Sequence, residues 1–329
     1  MSFNLPLAIA PWLVPLSAFC ICWLTLTVLL SYARRLPMDH PNERSLHVTP
    51  TPRVGGIGVV AGVSAAAMLI QLSALWPFIL GALALAMLSL LDDYKNLPVS
   101  WRLLAHLVVA VGCLLMLPPM NIGMLVLATA AIVWMTNLFN FMDGSDGLAG
   151  GMAVIGFGAL AVAAGGAGAQ QLALFCAGTA AAALAFLRFN FPPARLFMGD
   201  AGAIPLGFLA AALAIYGVMQ NYWPALFPLI VFSPFIGDAS VTLIKRGVRG
   251  DKIWRAHREH YYQRLVRMGW SHRKLALAAY ALMLACALGG LTLLWIPAYA
   301  AAVAMLWATT FLSIFIATDW RWSHLKHDI

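Results

Sequence analysis

Charge is what this sequence has least of. Only 10% of its 329 residues are Asp, Glu, Lys or Arg, while 62% are hydrophobic. A soluble chain carries about a quarter charged residues, so a water-solvated globular protein is excluded. The mean hydropathy of +0.86 fits a polytopic membrane protein instead. Cysteine is also scarce: Cys20, Cys22, Cys113, Cys176 and Cys286 are odd in number and all lie in apolar stretches. Neither a disulfide framework nor a zinc cage suits that placement. No basic segment precedes the first apolar run, which is long and ends at Arg34–Arg35. That pattern predicts an uncleaved anchor rather than a signal peptide. No repeat, low-complexity tract or separate soluble domain is visible.

What is present is a succession of apolar runs. They fall at about Trp12–Ala33, Gly55–Ala74, Trp76–Leu91, Leu103–Leu117, Ile122–Met135, Leu148–Ala164, Leu172–Leu187, Ala203–Val218, Trp223–Ile244, Leu275–Leu294 and Pro297–Thr318, eleven in all. Several are shorter than the roughly 20 residues of a straight span, so their ends must reach into the flanks. The expectation is an all-α protein, one integral membrane domain over residues 1–329 forming a helical bundle of about eleven spans.

The charges predict its orientation. Apart from Asp238, just inside the ninth run, all 20 Lys and Arg and all 12 Asp and Glu lie in six segments. These are Arg34–Val54, Asp92–Arg102, Thr136–Gly147, Arg188–Gly202, Lys245–Lys274 and the tail from Asp319. The alternate connections, such as Pro118–Asn121 and Gly165–Gln171, are short and uncharged. Basic loops face the cytoplasm, which places the N-terminus outside and the C-terminus inside. The net charge of +8 therefore belongs to inner loops, not to a nucleic-acid surface. The carboxylates share that face although the positive-inside rule does not require it, so the chemistry is expected there.

The central motif is TNLFNFMDGSDGLAGG, Thr136–Gly151, read as a loop between two apolar helices. Asn137, Asn140, Asp143, Ser145 and Asp146 are poor lipid-facing residues, and Gly144 and Gly147 permit a tight turn close to a ligand. Alternating Asn and Asp oxygens suit a hard cation and the phosphates it bridges; an ordinary polar turn is the plainer alternative. Upstream, Asp39, Asn42, Arg44, His47 and Arg53 precede a Gly55–Gly56 pair. Such a pair opening a helix can receive phosphate, or the segment is a rigid inner loop with ordinary basic residues. Asp92 and Asp93 end an otherwise apolar helix, where they oppose its dipole and each other. A cation, Lys95 or Arg102 must offset that cost.

In RFNFPPARLFMGDAG, Asp200 stands where it can cap a helix N-terminus. Asn190, Arg195 and Phe197 before it offer an amide, a cation and an aromatic face. In the basic loop Lys245–Lys274, His257 and His260 are spaced to share one face of a helix, with Arg258, Arg264 and Arg267 around them. Phosphate binding suits that set better than zinc, and attraction to anionic lipid headgroups is the alternative. Asp238 is ambiguous.

LLDDY, the central motif, RLFMGDAG and the His-containing basic loop occur in one order on one predicted face. The ordered set resembles the polyprenyl-phosphate N-acetylhexosamine-1-phosphate transferase family of bacterial membranes, over about Asp39–Gly269. The resemblance implies transfer of a sugar-1-phosphate from a UDP-N-acetylhexosamine to undecaprenyl phosphate at the cytoplasmic side of the inner membrane, with Mg2+ (or Mn2+) as cofactor and UMP released. It implies Asp92 and Asp93 as the paired aspartates near the lipid phosphate, with Asp143 beside them as a further catalytic carboxylate. Asp200 and Asn140 match metal ligands, and Asn190, Phe197, Gly144 and Asp146 match residues around uridine. His260, and His257 beside it, match the histidine loop near the phosphates. Asn137, Arg102 and Arg264 complete the substrate-binding set, and a homodimer is compatible with it. Two departures stand out. Tyr261–Tyr262 follow His260 where relatives making the peptidoglycan precursor carry consecutive histidines, and Arg102 stands where many relatives have lysine. Both point to the branch that starts O-antigen or other surface polysaccharides. A membrane transporter of a nucleotide sugar or lipid-linked sugar is the rival reading, but no charge falls at the predicted midplane and no inverted repeat is evident.

Overall fold

The computed structural model describes residues 10–32, 36–41, 46–47, 49–70, 74–95, 97–255 and 257–327. Arg34, Arg35, Asn42 and Arg44 lie outside them. Helix forms in every one of the eleven apolar runs. In chain order the helices are α1 (Leu13–Ser31), α2 (Gly55–Met68), α3 (Trp76–Lys95), α4 (Val99–Leu115), α5 (Ile122–Phe141), α6 (Leu148–Gly166) and α7 (Gln170–Asn190). They continue as α8 (Asp200–Met219), α9 (Leu226–Val231), α10 (Ser233–Val248), α11 (Tyr261–Arg267), α12 (His272–Trp295) and α13 (Ala300–His327). Among the described residues, eight helices are long and apolar enough to cross a membrane; α2 and α4 are shorter. The chain is thus a multi-pass helical membrane protein. The one departure from an all-helical fold, among the described residues, is a two-stranded antiparallel ladder pairing Met38 with Pro52 and Asp39 with Thr51.

The ninth run is split, α9 ending and α10 beginning at Phe232–Ser233. Pro228 and Pro234 explain the break: proline supplies no N–H to the helical ladder, and Pro234 sits in the first turn of α10, where that loss is harmless.

Helix α8 is the axis of the bundle. It is the most enclosed of the candidate spans, with 78% of its apolar window buried, and it packs against α2, α3 and α5. In a membrane, where neighbouring lipid is as apolar as leucine, close backbone approach drives such packing. Two glycine crossings achieve it. A Cβ on Gly56 would stand 2.3 Å from the Gly202 nitrogen, and one on Gly207 would stand 2.6 Å from the Met135 carbonyl oxygen. The first crossing draws the start of α2, and Arg53 just before it, onto the start of α8. The second brings the polar, asparagine-bearing end of α5 alongside.

Candidate active site

The central loop is shorter than the sequence implied, because α5 runs on to Phe141. Asn137 and Asn140 therefore lie on a helix, and only Met142–Gly147 turn the chain into α6. Gly147 takes φ 76° there, a left-handed conformation that disfavours any Cβ. Gly144 is required for a different reason: a Cβ at that position would meet the Tyr262 hydroxyl at 2.2 Å.

Around this turn opens a cleft of about 370 Å3. Asn140, Asp143, Gly144, Asp146, Asn190, Phe197, Asp200 and His257 all line it, together with Arg53 and His272. A second cavity of about 410 Å3 lies beside it, lined by Arg102, Asn137 and His260. Asn140, Phe141, His257 and Gln263 belong to both. The second cavity has an apolar rim: Val99, Leu103, Ile253 and Trp254 line it and are exposed.

Asp92 and Asp93 join the cleft through two arginines. Arg53 donates to Asp200 and stands 4.0 Å from Asp93. Arg102 donates to Asp92 at 2.9 Å and lies 3.7 Å from Asp200, while Asp92 also accepts the Leu97 N–H at 2.6 Å. Three carboxylates from the ends of α3 and α8 thus share two guanidinium groups. This answers the cost of adjacent aspartates at a helix C-terminus without a bound cation. Burial pulls Arg53 down, but Asp200, Asp93, Asp39 and Asp143 together hold its guanidinium above its ordinary value. Sequence reasoning left Arg53 out of the site because nothing local separates it from other inner-loop cations.

The opposite holds for Asp143. Burial pushes its carboxyl well above the usual range, and Asp200 and Asp146 add to that, against Arg53 and the Gly199 N–H. A cation at this point would relieve the repulsion. Among the described residues no three His, Cys, Asp or Glu form a ready-made cage. Asp200, Asn140 and Asp143 nevertheless offer oxygen donors around one cleft, and Mg2+ is usually held by one or two carboxylates with the rest from phosphates and water. The donor set therefore fits that ion with substrate bound.

Some residues serve the protein itself. Asn190 accepts the Gly147 N–H at 2.8 Å and donates to the Leu196 carbonyl at 3.0 Å, and Asp146 accepts the Ala194 N–H at 2.9 Å. Both tie the central turn to the loop before α8 and so shape the wall of the cleft. Phe197 packs edge-on against His47, ring centres 4.8 Å apart. The Gly55–Gly56 pair is not open to phosphate: its N–H groups donate to the Phe197 and Met198 carbonyls at 2.8 Å each.

The basic loop also departs from expectation. His257 lies before α11 and His260 caps it, so the pair does not share a helix face, yet their rings stand 4.8 Å apart. Burial, then His260 and Arg246, push His257 down to about 4. Its Nδ1 accepts the Glu259 N–H at 3.3 Å, which leaves the single imidazole proton of neutral His257 on Nε2. Arg264 lines neither cavity and is buried against Asp319 at 2.8 Å and the Glu259 carbonyl at 2.8 Å. It braces the loop rather than meeting the cleft. Asp238 gains importance: it accepts the N–H groups of Tyr261 and Tyr262 and lies beside His260. His272 was missed altogether. It contacts Ser145 at 2.9 Å from the first residue of α12, a position with no motif around it.

The profile of glycosyl transferase family 4 matches residues 75–218, from the start of α3 to the end of α8. The probable undecaprenyl-phosphate N-acetylglucosaminyl 1-phosphate transferase of Bacillus subtilis is 30% identical over 288 residues, covering 80% of each chain. The decaprenyl-phosphate N-acetylglucosaminephosphotransferase of Mycobacterium tuberculosis is 30% identical over 82% of this chain and 78% of its own. A phospho-N-acetylmuramoyl-pentapeptide-transferase of Geobacillus thermodenitrificans matches at 33% over half of each chain. The chain belongs to glycosyl transferase family 4, the family of polyprenyl-phosphate hexosamine-1-phosphate transferases.

Proposed function

We propose that this protein transfers N-acetylhexosamine-1-phosphate from a UDP-sugar to undecaprenyl phosphate, at the cytoplasmic face of a bacterial inner membrane. One observation carries the reading: an acidic, amide-rich cleft and a cavity with an apolar rim meet at Asn140 and His257. The cleft suits a nucleoside diphosphate sugar, and the rimmed cavity suits a phosphate carried on a long apolar chain. The names of the Bacillus and Mycobacterium relatives favour GlcNAc as the sugar. Initiation of O-antigen or another surface polysaccharide is the proposed role, on the strength of Tyr261–Tyr262 and Arg102.

In this reading the acceptor phosphate enters beside Arg102, and one of its oxygens attacks the β-phosphorus of the donor. A new P–O bond forms there while the bond to the UMP oxygen breaks. A phosphate monoester has its second pKa near 6, so the nucleophile is largely dianionic at neutral pH and needs no general base. Asp92 and Asp93 act by fixing Arg102 and Arg53, which position the phosphates. Neutral His257 donates from Nε2 to a phosphate oxygen. Mg2+, held by Asp200 and Asn140 with Asp143 near, would supply charge neutralisation on the departing UMP. One phosphoanhydride replaces another, so added UMP reverses the reaction.

The test is to incubate purified protein with undecaprenyl phosphate, Mg2+ and a panel of UDP-N-acetylhexosamines. Release of UMP together with a lipid-linked sugar diphosphate is expected from at least one donor. No UMP from any donor, with net flux of a sugar nucleotide across liposomes, would establish a transporter instead.

A further inference from the structure

A groove between α1 and α7 takes no part in the proposed transfer. Phe19 and Trp23 of α1 and Leu184 and Leu187 of α7 line it, and its volume is about 720 Å3. The aromatic wall is ordered: Phe19 stacks on Trp23 at 5.7 Å, and Trp23 meets Phe189 at 5.2 Å. Two cations complete the lining, Arg188 from the last turn of α7 and Arg195 from the loop that follows. Arg195 rests on the Phe189 ring at 5.0 Å, and among the described residues no Asp or Glu lines the groove. Beyond it, α1 continues as exposed apolar surface through Leu24 and Val28.

Two exposed guanidinium groups share this groove with apolar walls, and among the described residues no carboxylate lines it. Free phosphate would neutralise them but leave the groove walls unsatisfied. A neutral lipid would fill the walls and leave the charges. Only an anion joined to an acyl chain answers both. We propose that this groove binds an anionic membrane phospholipid, its phosphate on Arg188 and Arg195 and an acyl chain along Phe19, Trp23 and Leu184.

The bound lipid steadies the cleft from behind. Arg195 belongs to the loop whose Ala194 N–H donates to Asp146 at 2.9 Å and whose Phe197 N–H donates to the Pro52 carbonyl at 2.8 Å. The same loop presents Phe197 to the cleft. A headgroup that fixes Arg195 therefore restrains the wall against which donor binds, without touching donor itself.

Native mass spectrometry of the full chain, titrated with phosphatidylglycerol or phosphatidylcholine, tests this independently of turnover. Each basic residue at an anionic surface contributes about fivefold in affinity, so the R188Q/R195Q variant should bind phosphatidylglycerol about 30-fold more weakly. R188K/R195K should keep most of that binding, and phosphatidylcholine should not distinguish the three proteins. Leu184→Trp, which fills the groove and leaves both charges, should also exclude phosphatidylglycerol; it decides the matter if the double Gln variant melts abnormally. Equal phosphatidylglycerol binding by wild type and the Trp and Gln variants overturns the proposal. Displacement by inorganic phosphate alone would mark a free-anion site. Displacement by undecaprenyl phosphate would make the groove the acceptor's. A dimer lost only in the variants would make a second copy the occupant. Each of these three also overturns it.

Discussion

The Asp238 carboxylate lies 3.3 Å from Nδ1 of His260 and accepts the backbone N–H groups of Tyr261 and Tyr262 at 2.8 and 2.9 Å. One buried side chain in α10 thereby sets both the N-terminus of α11 and the imidazole that caps it. Asp238→Ala leaves two buried donors without an acceptor, at about 1–3 kcal/mol each. The expected result is a clearly lower melting temperature in detergent together with loss of transfer. A variant that melts and turns over like wild type would show that the loop stands without this anchor.

Arg102 sits between Asp92 and the second cavity. A charge-assisted hydrogen bond of this kind contributes about 1.5–3 kcal/mol. Arg102→Ala should therefore raise the KM for polyprenyl phosphate roughly 10- to 100-fold, leaving the KM for the UDP-sugar little changed. Lysine at this position should recover part of the loss. If the donor KM rises instead, the two cavities have been assigned in the wrong order.

Asp200 carries the strongest expectation about the metal. Asp200→Asn keeps the size of the side chain but removes the charge that both Arg53 and Mg2+ would need. Turnover should vanish while the protein still folds, as judged by its detergent melting curve. EDTA should likewise abolish wild-type transfer, and Mg2+ should restore it. Near-normal activity in either experiment would remove the ion from the mechanism.

Gly144 and Tyr262 form a pair that can be exchanged. The Tyr262 hydroxyl donates to the Phe141 carbonyl at 3.0 Å and occupies the space a Gly144 Cβ would need. Gly144→Ala alone should displace the ring and impair transfer severely. Adding Tyr262→Phe removes the clashing oxygen and should restore much of the activity. A double variant no better than Gly144→Ala would mean that the glycine is needed for substrate approach.

His257 should leave a mark on acid stability. In the unfolded chain its imidazole takes a proton below about 6.5, but in the folded protein only near 4. The unfolded state therefore binds more protons in that window, and stability falls as pH drops through it. His257→Gln should flatten this part of a melting-temperature series while leaving values above the window nearly unchanged. An unaltered slope would show that other groups control acid unfolding.

Much of this protein is written locally. The eleven apolar runs are nearly uncharged, so backbone hydrogen bonding in lipid leaves helix as their conformation, and every Lys, Arg, Asp and Glu except Asp238 falls outside them, on the face where chemistry is expected. Asp92, Asp93, Asn140, Asp143 and Asp200 could be named as candidates because their motifs occur in the order that resembles a known family. What the chain could not disclose was which distant groups meet. Arg53 became the partner of Asp200 only because Gly56 and Gly202 let α2 and α8 cross in backbone contact. Asn137 and Asn140 parted from the turn because α5 gains another turn against α8, and the Gly55–Gly56 donors were taken by a loop 142 residues away in sequence. Asp238, His272 and Arg264 acquired their roles from neighbours in other segments of the chain. Hydropathy and helix periodicity act within one segment, whereas the pairing of charges across segments depends on how closely helices pack, and that is settled by the whole bundle at once.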